Sequence, residues 1–69
     1  MSSTEHESLM LAVHEHAREI SALSTELLRL DREAAPRPRV VFVAAQVIRH
    51  RIEMALLQSR LEAAQLVQG

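Results

Sequence analysis

The chain contains no cysteine, tryptophan, tyrosine or lysine, and only one glycine, one phenylalanine and two prolines among 69 residues. Without cysteine there is no disulfide framework, no thiolate nucleophile and no Cys-based zinc or iron–sulfur centre. Without glycine-rich loops there is no phosphate cradle, and no nucleophile–base constellation stands anywhere in the chain, so no catalytic residue is expected. The near absence of aromatics removes the platforms on which single-stranded nucleic acid stacks. The longest apolar run, Val40 to Ala45, is far short of the roughly 20 residues of a membrane span. The Ser/Glu-rich beginning carries no basic segment of a secretory signal. A non-enzymatic, cytoplasmic protein is the expectation.

What is present is a globular balance, with 48% hydrophobic and 25% charged residues and a net charge of −1. The charge is divided between two halves. Residues 1–35 carry seven acids against three Arg, and residues 36–69 carry five Arg against two Glu. The division coincides with Ala35-Pro36-Arg37-Pro38. Proline disfavours helix for the residue before it but is welcome in a helix's first turn. The sequence therefore predicts one domain over 1–69: a helix over about 4–34, a proline turn over 35–38, and a second helix over about 39–67.

Thr4-Glu5-His6-Glu7 fits a capping box for the first helix. Apolar positions then recur at Leu9, Val13, Ile20, Leu23, Leu27 and Leu30, with His16 filling one place in a 4-3 spacing. This is a heptad seam with one polar interruption. The second helix repeats the device: Val43, Val47, Met54, Leu57, Leu61 and Ala64 form a seam interrupted by His50. At 100° per residue, a further apolar set (Val41, Ala45, Ile48, Ile52, Ala55 and Leu66) falls on nearly the opposite side.

A helix with two apolar faces has two neighbours. The first helix covers only one of those faces, and a chain of this size buries too little surface as a lone hairpin. The expected fold is all-α: an antiparallel two-helix hairpin completing a four-helix bundle, by dimerisation with itself or by binding a helical protein partner. Val41, Ala45, Ile48, Ile52 and Ala55 are the expected interface. The function that follows is that of a small interaction module, an adaptor, co-chaperone or regulatory subunit presenting helix faces.

The histidines carry the alternative. His16 and His50 interrupt facing seams, and each is followed three residues later by an acid, Glu19 and Glu53. Inward imidazoles and carboxylates from facing helices are how bundles hold metals, so His16, Glu19, His50 and Glu53 are the candidate ligands for a divalent metal, the one cofactor considered. Two features speak for a register-fixing polar pair instead. No inward Glu stands in either seam, and the order is reversed from the Glu-x-x-His pairing of di-iron bundles; His16 is expected opposite residues 54–57, about one helical turn from His50. His6 and His14 are expected in solvent.

Nucleic acid is not the expected partner. Arg29, Arg32, Arg37 and Arg39 gather at the reversal, but Asp31 and Glu33 dilute them. In length and layout the chain resembles Rop-type plasmid copy-control hairpins, a likeness that implies an RNA-binding dimer. It is similar in the same way to the co-chaperones of type III secretion needle subunits, which implies a helical protein partner. Both likenesses are of architecture, with no shared motif.

Overall fold

The structure, a computed structural model, describes residues 3–68. It comprises two helices, α1 (Ser3–Arg32) and α2 (Arg37–Gln68), and no strand among the described residues. The helices span about 45 and 48 Å at 1.5 Å per residue, yet the whole molecule is only 50 × 14 × 13 Å. They lie side by side and antiparallel, joined by a connection over residues 33–36. Neither helix is long and apolar enough to cross a membrane.

The reversal sits about two residues earlier than the prolines indicate: the turn occupies 33–36, not 35–38, and α1 stops at Arg32 rather than near Ala34. The cause is the way α1 ends. Ala34 adopts a left-handed conformation, φ 53°. The Ala35 amide then donates to the Leu30 carbonyl (3.0 Å) and the Ala34 amide to the Asp31 carbonyl (3.2 Å). These two bonds are a Schellman closure, satisfying carbonyls that the last turn leaves without partners. Pro36 then opens α2, its carbonyl accepting from Arg39 (3.0 Å) and Val40 (3.3 Å). Pro38 occupies the first turn, where its missing amide is no loss. At the other end α1 already includes Ser3 and Thr4, so Thr4 is a first-turn residue and not the cap.

An alanine in the left-handed region is held there at a cost of roughly 1 kcal/mol that glycine avoids. Ala34→Gly should therefore raise the melting temperature, by about 4–8 °C if the net gain is about 1 kcal/mol. Calorimetry of the two chains checks this, and an unchanged or lowered midpoint would contradict it.

Both predicted seams face each other. Leu30, Val43, Val47 and Leu61 are buried, and Leu9, Val13, Ile20, Leu23, Leu27, Met54, Leu57 and Ala64 are half-buried around them. Among the described residues only Leu30 is wholly inaccessible, at 0% exposure. The other apolar set of α2 stays in solvent: Val41, Ala45, Ile48, Ile52, Ala55 and Leu66 are all exposed. Phe42 and Leu56, exposed as well, widen this surface. With a surface of 5386 Å², the hairpin exposes about 1,000 Å² more than a compact monomer of its mass would. Its radius of gyration is 15.7 Å, against about 11 Å for a compact chain of this length.

Candidate functional site

The centre of the hairpin is polar. His16 of α1 and His50 of α2 meet across the seam, their Nδ1 atoms 2.8 Å apart and their rings tilted by 53° with centroids at 5.1 Å. The early reversal shortens their expected separation along the axis. With α1 ending at Arg32 and α2 starting at Arg37, His16 lies opposite residue 53. The three-residue offset to His50 is about 4.5 Å along the axis, a gap that two imidazoles bridge.

At 2.8 Å one Nδ1 must donate and the other accept. The other nitrogen of His16, Nε2, faces Glu53 Oε2 at 3.5 Å. One tautomer choice satisfies all three groups. His50 donates from Nδ1 to His16 Nδ1, and His16 carries its own proton on Nε2, towards the carboxylate. The second oxygen of Glu53 accepts from Arg49 Nε at 3.3 Å. A chain of four side chains thus runs from His50 through His16 and Glu53 to Arg49.

Glu53 corrects the view that no acid reaches the seam. Its Cα sits on the flank of α2, but a carboxylate one turn beyond His50 is long enough to lean back over the edge. Of the four candidate ligands, the structure brings three together: suitable ligand atoms of His16, His50 and Glu53 lie within 4.8 Å of one another. Glu19 does not join them. It is exposed and lines an open depression beside the pair, together with Glu15, Arg18 and Ala22. His6 and His14 are exposed, as expected of solvated surface residues.

The basic end is less available than its sequence implies. Arg29 forks between a carboxylate of its own helix and one at the start of the turn, with Nε donating to Glu26 at 3.0 Å and Nη1 donating to Glu33 at 3.1 and 3.0 Å. A further Nη2 contact closes on Glu26. Glu26 stands three residues before Arg29 and Glu33 four residues after it, a spacing readable from sequence. The Arg29 hydrogen bonds hold the Glu26 carboxyl below its ordinary value of 4.5 and push the Arg29 guanidinium up. Arg32, Arg37 and Arg39 are exposed, so three cations remain where the sequence shows four.

The lowered Glu26 value has a definite sign in acid. The interaction is fully present above the ordinary glutamate value and is lost as pH falls through the lowered one. A carboxyl-detected NMR titration should place the Glu26 midpoint below 4.5, the ordinary value. Arg29→Gln should bring it back up. A midpoint at the ordinary value in the unaltered chain would contradict the pairing. Compared with known protein families, with curated proteins and with solved structures, the chain finds no match in any of the three.

Proposed function

We propose that the chain is a protein–protein interaction module that works through the outer face of α2, and that the partner on this face is a second copy of itself. The observation that carries this reading is the uncovered stripe of Val41, Ala45, Ile48, Ile52 and Ala55, continued by Leu66. A contiguous apolar strip of this kind marks an interaction surface.

Three features favour a second copy. The stripe runs nearly the length of α2, so an antiparallel copy of the same helix covers it from end to end. The excess surface of about 1,000 Å² per chain is close to the roughly 800 Å² that each partner contributes to a standard interface. Finally, the same patch on both partners is what a two-fold dimer requires.

The two apolar faces of α2 lie nearly opposite one another, which shapes the assembly. In a square four-helix bundle each helix has its neighbours at about a right angle. Here α2 is sandwiched, with α1 on one side and the partner's α2 on the other. The four-helix dimer therefore has two central helices and two outer ones.

Sedimentation equilibrium of the unmodified chain tests the reading. The expected mass is twice the chain's 7.8 kDa, with a melting temperature that climbs with protein concentration. A folded chain that sediments as a monomer at all concentrations would overturn it.

A further inference from the structure

Polar residues at the centre of an apolar seam are costly unless they do something there. His16 and His50 occupy positions that Val, Ile, Leu and Met fill elsewhere along both seams. We propose that His16, His50 and Glu53 form a binding site for one divalent transition-metal ion of the zinc class, which clips α1 to α2 within a single chain. The site is distinct from the outer face of α2 and does not depend on how that face is covered.

The donor set is the first argument. Two neutral imidazoles and one carboxylate are the nitrogen and oxygen ligands of three-coordinate protein sites that keep a fourth position for water. They come from both helices, so the ion would close a loop of the chain.

Geometry is the second argument. Tetrahedral bonds of 2.0–2.1 Å place two ligand nitrogens about 3.3 Å apart. The Nδ1 atoms stand at 2.8 Å, so the rings must part by only about half an ångström to admit an ion between them. Both Nδ1 lone pairs then point at the metal, and both ring protons sit on Nε2. Glu53 must exchange Arg49 and the Nε2 edge of His16 for the ion. That exchange is a small loss, because Arg49 is 79% exposed and exposed pairs contribute little.

Access is the third argument. The open depression lined by Glu15, Arg18, Glu19 and Ala22 reaches both imidazoles from one side. It offers a route for the ion and room for the fourth ligand. Glu19, a turn beyond His16, is the carboxylate on its rim, and its position relative to His16 repeats that of Glu53 relative to His50.

Zinc titration of the untagged chain by calorimetry and thermal melting tests the proposal. One Zn²⁺ per chain is expected, and at a hundredfold excess over the dissociation constant the melting temperature should rise by about 10 °C or more. His16→Gln and His50→Gln, which keep a polar side chain in the seam, should each weaken binding more than tenfold. Glu53→Gln should weaken it by about tenfold, on the scale of losing one supporting group at a metal site. His6→Ala and His14→Ala should change nothing. Should the seam variants unfold, the unmodified chain still decides the matter: histidine ¹⁵N shifts on adding Zn²⁺ must move at Nδ1 of His16 and His50. Absence of any zinc-dependent stabilisation would overturn the proposal. So would binding that survives both seam substitutions and disappears with His6→Ala or His14→Ala.

Discussion

Ile48→Asp and Ile52→Asp should each split the dimer, leaving a chain of monomer mass at concentrations where the parent sediments at twice that value. The two side chains are 58% and 57% exposed in the isolated hairpin, so neither has a role in the seam with α1 that the substitution would destroy. In the dimer they are covered. Two-fold symmetry then introduces each aspartate twice, near the axis, where the carboxylates approach each other. A buried, unpaired charge costs several kcal/mol even after local relaxation, and the apolar area of isoleucine is lost as well. A total of at least about 3 kcal/mol is more than a hundredfold in the dissociation constant. Leu11→Asp supplies the control. Leu11 is exposed on the outer side of α1, away from the proposed contact, and its replacement should leave the mass unchanged. Retention of the dimer by both isoleucine variants would move the contact off this face. Loss of the dimer in Leu11→Asp as well would mean that α1 takes part.

The elements on which this expectation rests were readable before any coordinates, and for a physical reason. A 4-3 apolar spacing sustained over three heptads has no interpretation other than a helix packed along one side, and both seams carry it with a histidine in the same relative place. The exposed stripe of α2 follows from the same arithmetic. The turn is harder to read, because proline tells where a helix cannot continue but not where the preceding one closes. Closure depends on a residue with positive φ, normally marked by glycine or asparagine. Here Ala34 takes that conformation without any such marker, and the register of the whole hairpin shifts with it. The histidine contact hangs on this shift, which is why residue spacing alone set the two rings a turn apart. The reach of Glu53 into the seam is hidden from the sequence for a different reason. A helical wheel records the direction of Cα–Cβ, whereas a glutamate carboxyl reaches several ångströms further and can return to a seam from its flank. Glu19 has the same spacing from its histidine and does not return, so sequence spacing alone could not separate the two acids.

Leu30 is where the hairpin itself is most vulnerable. It is the last apolar residue of the α1 seam and, among the described residues, the only side chain wholly removed from solvent. Its carbonyl also accepts the Ala35 amide that closes the helix. In a thin two-helix layer there is little material behind such a residue to move in and fill a void, so Leu30→Ala should be felt at the full scale of a core truncation. That scale is about 2–5 kcal/mol for leucine to alanine. Small domains hold only about 5–15 kcal/mol in total, and at 69 residues the lower end applies. Leu30→Ala should therefore lower the melting temperature by more than 10 °C or leave the chain largely unfolded at room temperature. Chemical denaturation followed by far-ultraviolet circular dichroism distinguishes these outcomes. Val67→Ala, near the C-terminal end of α2 and 87% exposed, should cost less than about 0.5 kcal/mol. The ratio between the two costs is the informative quantity. A hairpin whose stability comes from seam packing near the turn predicts a large ratio. A chain held together mainly across the outer face of α2 predicts that Leu30→Ala behaves no worse than Ile48→Ala, because truncation at the dimer contact would then remove as much buried area as truncation at the seam.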